Sequence, residues 1–254
     1  MGDKLMNTNS LPNTLRAKRS SGLASLLAGF LTLTCLSLVP VKVDAHGDVA
    51  PQAVDTSGLP ELSDEWLEEN PWRNPDDEHW SRAIEVGASG YNQNCARCHG
   101  LGAVSGGLAP DLRLLEANID GDEWYLERFQ HGYTQNGTTK MPAFGELLGQ
   151  EAGWAIRTYL ETRPDEGALD NHVTTLKEIR DTLKQMVASD QAPNEADLAP
   201  LRSKMMEIAT QIETGSGAPR ADSVAAIAAA KLDGTQASIK SAVDALTIGL
   251  SAAQ

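Results

Sequence analysis

Residues 95–99 read Cys95-Ala96-Arg97-Cys98-His99, which places two thiols and an imidazole within one helical turn. This C-x-x-C-H spacing is the attachment signature of c-type haem. Both sulfurs can face a porphyrin edge and add across its two vinyl groups, and the adjacent imidazole then lies under the iron as proximal ligand. Two other chemistries use a C-x-x-C pair. A thioredoxin-like disulfide belongs after a strand in a βαβ pattern, and none precedes Cys95. A zinc site needs a second ligand pair, and His131 and His172 stand alone. The third cysteine, Cys35, lies in an apolar leader. The motif therefore predicts one covalently bound haem c on Cys95 and Cys98, with His99 on the iron.

The leader supplies the compartment. Arg16, Lys18 and Arg19 form a basic n-region, an apolar run follows from Leu23 to Val39, and Val43-Asp44-Ala45 gives a small-residue cleavage site. This reads as a signal peptide over 1–45, cleaved near Ala45. The rival reading is an uncleaved anchor, because the run approaches the length of a membrane span. The cleavage-like triplet and the acidic chain beyond it favour removal, leaving no stable membrane span in the mature chain. Export to a bacterial periplasm agrees with the motif, since covalent haem ligation belongs to compartments where thiols are handled oxidatively.

The chain has 21 basic and 35 acidic residues. Five basic residues (Lys4, Arg16, Lys18, Arg19, Lys42) and two acidic ones (Asp3, Asp44) precede His46, so the mature part carries 16 against 33. That balance excludes nucleic-acid binding, which needs basic patches. It suits docking on a positively charged surface, where charge raises the on-rate, and it also serves solubility.

Three zones follow the leader. Residues 46–78 read as an acidic, proline-containing arm, with one short helical piece near Ser63–Glu69 N-capped by Ser63, and with Trp66 and Trp72 pinning it down. Residues 79–163 form the haem domain. A helix from about Trp80 to Asn92 carries a stripe of Ala83, Ile84, Gly87 and Tyr91, and another runs from about Gln150 to Glu161 until Pro164. Gly87 allows close helix approach, and Tyr91 is placed to pack on Trp154. Residues 168–254 show helical spacing of apolar residues and coiled-coil-like threes and fours over Leu198, Leu201, Met205, Ile208 and Ile212. They read as a helical hairpin or small bundle, with Met186, Met205 and Met206 as core residues.

Gly87-x-x-x-Tyr91, the C-x-x-C-H motif, a Pro110 loop, Met141 and a closing aromatic helix together resemble a class I c-type cytochrome over about residues 79–163. The fold class is thus all-α. The string from Tyr91 to Leu101, continued by Val104–Gly107 and Ala109–Arg113, with Leu59-Pro60 and Glu65–Pro71 before it, is similar to the cytochrome c-550 group that accompanies pyrroloquinoline-quinone (PQQ) alcohol dehydrogenases. That resemblance implies a PQQ-dependent alcohol dehydrogenase as electron donor and a downstream oxidase or cytochrome as acceptor. It also implies that the Pro110 carbonyl accepts a hydrogen bond from the proximal imidazole, which orients the ring and makes it more basic.

A class I cytochrome needs a sixth iron ligand, and of the six methionines only Met141 lies in the haem domain. A thioether there raises the potential and fills the remaining coordination position. Core packing is the other use of a methionine, and His131 is the rival ligand. Trp124 and Tyr133 are candidates for the haem edge or for the core. The expected function is electron transfer and not catalysis; the alternatives are a haem-based gas sensor with an open sixth site and a peroxidase-like enzyme.

Overall fold

The computed structural model describes residues 51–189 and 194–252; the expected signal peptide and the start of the arm lie outside them. Among the described residues the order is α1 (Trp80–Asn94), α2 (Ala96–His99), α3 (Ile119–His131), β1 (Tyr133–Gln135), β2 (Thr138–Met141), α4 (Gly145–Glu161), α5 (Val173–Ala188), α6 (Glu195–Ala209), α7 (Val224–Lys231) and α8 (Gln236–Ala252). The architecture is helical, with one small antiparallel hairpin.

The crossing of α1 and α4 sets the frame. The buried stripe of α1 contains Ala83, Ile84, Gly87 and Tyr91, spaced to face a single neighbour. A Cβ on Gly87 would collide with the Ala155 carbonyl oxygen and lie 2.8 Å from Cβ of Tyr159. Glycine is what allows the two backbones this close. Tyr91 packs against Tyr159, with ring centroids 5.3 Å apart and the rings tilted, and not against Trp154 as the sequence suggested. Trp154 lies one helical face away, packed with Trp72, Ala83, Val86 and Ala155. Gly149, at φ +81°, interrupts α4, so its regular part begins at Gln150, where the apolar periodicity begins.

The arm forms no helix at Ser63–Glu69, contrary to the sequence reading. Its backbone bonds to the start of α4 instead of to itself. Leu67 N–H donates to Gln150 Oε1 (2.6 Å), Gln150 Nε2 donates to the Ser63 carbonyl (2.7 Å), and Leu62 N–H donates to Glu151 Oε1 (2.8 Å). Ser63 Oγ donates to the Glu65 carbonyl rather than capping a helix. Trp66 lies 6.1 Å from the Phe129 ring and Trp72 is buried, so both tryptophans do pin the arm.

Beneath the arm lies a buried four-charge cluster. Arg157 Nε reaches Asp122 Oδ1 (2.8 Å) and Glu161 Oε1 (3.0 Å), and Arg73 bridges the same two carboxylates. Asn70 adds its backbone N–H to Asp122 and its amide to Glu161. The cluster fastens the arm, the first turn of α3 and the end of α4 together. Burial raises the Glu161 pKa, while Arg73 and Arg157 oppose that rise.

Helices α5–α8 bury their own core, with Leu176, Leu183, Leu198, Met205, Ile239 and Leu246 fully enclosed. Met206, read as core from its spacing, is exposed because its neighbour Met205 takes the inward position. The loop between α6 and α7 returns to the end of α4. Asp222 N–H donates to the Thr162 carbonyl (2.9 Å), Gly215 N–H to the Arg163 carbonyl (3.2 Å), and Arg163 pairs with Asp222 (2.6 Å).

Gly87→Ala must separate α1 from α4 and should cost about 1–3 kcal/mol, the range for overpacking a core, seen as a lower denaturation midpoint. Arg157→Ala leaves two buried carboxylates short of a partner and should cost about 3–5 kcal/mol, measured the same way. An unchanged midpoint in either variant contradicts the corresponding packing.

Candidate haem site

α1 delivers the motif. Its last turn runs through Cys95 into α2, where Cys98 and His99 N–H groups donate to the Cys95 carbonyl, both at 3.0 Å. Cys95 and Cys98 are free thiols, the first half-buried and the second exposed. Burial, with a smaller contribution from Cys98, pushes the Cys95 thiol up to about 12. Gly100, at φ +84°, ends the turn, and a Cβ there would strike the Val104 carbonyl oxygen. The Tyr91 hydroxyl donates to the Gly100 carbonyl (2.7 Å), so the residue that packs the helix crossing also holds the end of the motif.

His99 is buried, and its Nδ1 lies 2.9 Å from the Pro110 carbonyl oxygen. A carbonyl only accepts, so this bond places the proton on Nδ1 and leaves the Nε2 lone pair free. The loop carrying Pro110 is braced on both sides. Ser105 Oγ donates to the Ala109 carbonyl. Asp111 accepts from Arg113 N–H (3.1 Å), Nε (3.0 Å) and Nη2 (2.7 Å). The guanidinium of Arg113 holds the Asp111 carboxyl below its ordinary pKa.

Met141 lies at the end of β2 and not in a loop. Asn136 and Gly137, at φ +51° and +74°, make the tight turn between β1 and β2, the Asn-Gly signal of a hairpin. Tyr133 pairs with Met141. Gly132 ends α3 at φ +71°, and a Cβ there would come within 2.8 Å of Ala143 N. That glycine lets the strand return against the end of α3. Phe144 N–H then donates to the Phe129 carbonyl (2.8 Å), and their rings stack 6.0 Å apart.

Cys95, Ala96 and Met141, all half-buried, pack against one apolar cluster that includes Tyr91, Ala103, Leu112, Phe129 and Leu160. Two thiols, an imidazole with its Nε2 free and a thioether are the donor set a haem c takes, and Cys95 and Met141 share one apolar wall, so the residues present fit a haem. Among the described residues no group of three or more His, Cys, Asp or Glu side chains is placed to hold a metal ion. The other candidates lie at the surface. His131 is exposed at the end of α3. Trp124 is exposed, with the Arg128 guanidinium 4.2 Å above its ring, and Tyr133 is exposed on β1. The Asp111–Arg113 brace and the buried charge cluster were not anticipated from the sequence. Asn136-Gly137 was a legible turn signal in the sequence.

Residues 82–160 match the family described as cytochrome c oxidase, cbb3-type, subunit III. The chain is 54% identical over 138 residues to cytochrome c550 of Pseudomonas aeruginosa, covering 54% of this chain and 94% of that protein. It is 33% identical over 91 residues to quinohemoprotein alcohol dehydrogenase ADH IIB of Pseudomonas putida, covering 35% of this chain and 12% of the enzyme. A third relative is the cbb3-type cytochrome c oxidase subunit FixP of Rhizobium meliloti, 33% identical over 82 residues, covering 27% of this chain and 26% of that subunit. No solved structure matches. With nearly the whole of a c550 covered at that identity, the chain belongs to the cytochrome c550 family of haem c electron-transfer proteins.

Proposed function

We propose that this chain is an exported monohaem electron carrier that accepts electrons from a PQQ-dependent alcohol dehydrogenase and passes them to a downstream oxidase or cytochrome. In this reading 1–45 is a cleaved signal peptide, 46–78 the arm, 79–163 the haem domain and 168–254 a helical extension, and the protein works in the periplasm. Cys95 and Cys98 hold the haem by thioether bonds, and His99 and Met141 occupy the two axial positions. A bound haem supplies one-electron chemistry.

The observation that carries the reading is the His99–Pro110 hydrogen bond at 2.9 Å. It fixes the tautomer a proximal ligand needs and makes the imidazole a better donor. Met141 packs against the same apolar wall, and a thioether favours ferrous iron. The donor assignment draws on the likeness to a quinohemoprotein alcohol dehydrogenase. It also draws on the exposed acidic face of Glu68, Asp120, Glu123 and Glu127, which suits a positively charged docking surface. Among the described residues no helix is long and apolar enough to cross a membrane.

Rapid mixing tests the partner. Reduced quinoprotein alcohol dehydrogenase should reduce the oxidised cytochrome at a rate that falls as salt rises; no reduction at any salt rejects this donor. The attachment has its own test. The Cys95→Ser/Cys98→Ser double variant should lose haem staining on a denaturing gel, and undiminished staining refutes covalent attachment. Met141→Ala should abolish the weak long-wavelength charge-transfer band of the ferric protein and lower its midpoint potential. A variant that keeps both removes Met141 from the iron.

A further inference from the structure

The loop between α6 and α7 crosses the surface beside the proximal side of the site, outside the residues that the cytochrome family match covers. We propose that this crossing, residues 213–217, is a strap that holds the Pro110 carbonyl on His99 through Arg113 and Asp111, and so sets the redox potential. The proposal rests on the reading of His99 as the proximal ligand.

The chain of contacts is continuous. Ala117 N–H donates to the Ser216 carbonyl (2.9 Å). Gly215 lies against the backbone of Arg113, so close that a Cβ would come 2.9 Å from its carbonyl oxygen and 3.3 Å from its Cβ. Arg113 grips Asp111 through backbone N–H and guanidinium, and Asp111 directly follows Pro110, whose carbonyl accepts from His99. The strap itself is anchored independently of the loop it presses on. Ser216 Oγ donates to the Glu161 carbonyl (2.6 Å), Asp165 N–H to the Glu213 carbonyl (2.9 Å), and Thr214 Oγ1 to the Ala218 carbonyl (2.8 Å). Glu161 belongs to the buried charge cluster, so the strap is fixed to the rigid end of α4. Ser216 and Thr214 are buried, while Pro110 is exposed. The exposed proximal loop is therefore backed by the buried Thr214 and Ser216 of the strap.

The direction of the effect follows from ligand chemistry. A short Nδ1–H···O=C bond gives the imidazole partial anionic character and stabilises ferric iron. Loosening the backing lengthens that bond, weakens the donor and raises the potential. Arg113 and Gly215 are positioning residues in this scheme, acting through Pro110 on His99. Gly215 has no left-handed backbone requirement, so a side chain there acts through its contact with Arg113 and not through backbone strain.

The test compares three full-length holoprotein variants with the parent. Gly215→Val pushes on the Arg113 backbone, Arg113→Gln removes the fork on Asp111, and Leu246→Ala loosens the α5–α8 core away from the strap. Covalent haem staining, midpoint potential and hydrogen exchange of the His99 Nδ1–H are measured on each. The expected result is retained haem in all three, a raised potential with faster exchange in Arg113→Gln, and a potential and exchange rate displaced from the parent's in Gly215→Val but not in Leu246→Ala. Arg113→Lys, which keeps one charged donor, should recover part of the shift and serves if Arg113→Gln does not fold. Parental potential and exchange in haem-loaded Gly215→Val and in the Arg113 variant overturn the strap. The same shift in Leu246→Ala also overturns it, because any loosening of the bundle would then suffice. A parent without covalent haem sinks the site reading, and the strap proposal falls with it.

Discussion

Two helices meet at Gly87 with no side chain between them, and the placement of the Cys95–His99 segment follows from that contact. The Ala155 carbonyl occupies the space where a Cβ would stand. This fixes how far along α1 the α4 helix crosses, and with it where the next turn of α1 emerges. That next turn carries Tyr91, whose ring packs against Tyr159 and whose hydroxyl donates to the Gly100 carbonyl. The Cys95–His99 segment is thereby clamped at its start by helix packing and at its end by one hydrogen bond. An electron carrier needs little more from its backbone than this: ligands whose positions are set before the metal arrives.

The charged cluster of Arg73, Asp122, Arg157 and Glu161 does the complementary work on the opposite side of α4. Buried ion pairs are weak contributors to net stability, yet removing one member is costly because the rest are left unpaired. Their value here is connective. One cluster joins the arm, α3 and α4, and through Glu161 it reaches the strap from the helical extension. The charges thus tie together segments whose apolar surfaces lie in three separate clusters.

Much of this was legible in the residues. The C-x-x-C-H string named its chemistry, and the apolar stripes of α1 and α4 gave the two helices and their close approach at Gly87. The periodic apolar residues of the extension read as a helical hairpin or small bundle, and the structure has four helices there. What escaped was set by long-range pairing. Trp154 and Tyr159 both lie on the buried side of α4, and only the crossing angle decides which one meets Tyr91. Ser63–Glu69 has the local pattern of a helix start, but Gln150 and Glu151, more than eighty residues later, take its backbone groups. Asp111 and Arg113 look like ordinary surface charges until their loop is seen under His99. Asn136-Gly137 was readable as a hairpin, and that hairpin is what brings Met141 to the wall shared with Cys95.

In the proposed function, His99 holds one face of the iron and Met141 the other. Exposing the dithionite-reduced holoprotein to carbon monoxide at neutral pH tests it most directly. With both axial positions filled, the reduced protein shows a low-spin absorption spectrum that carbon monoxide leaves unchanged. A high-spin reduced form that converts to a carbon monoxide complex would contradict it and would place the protein among ligand-binding haem proteins.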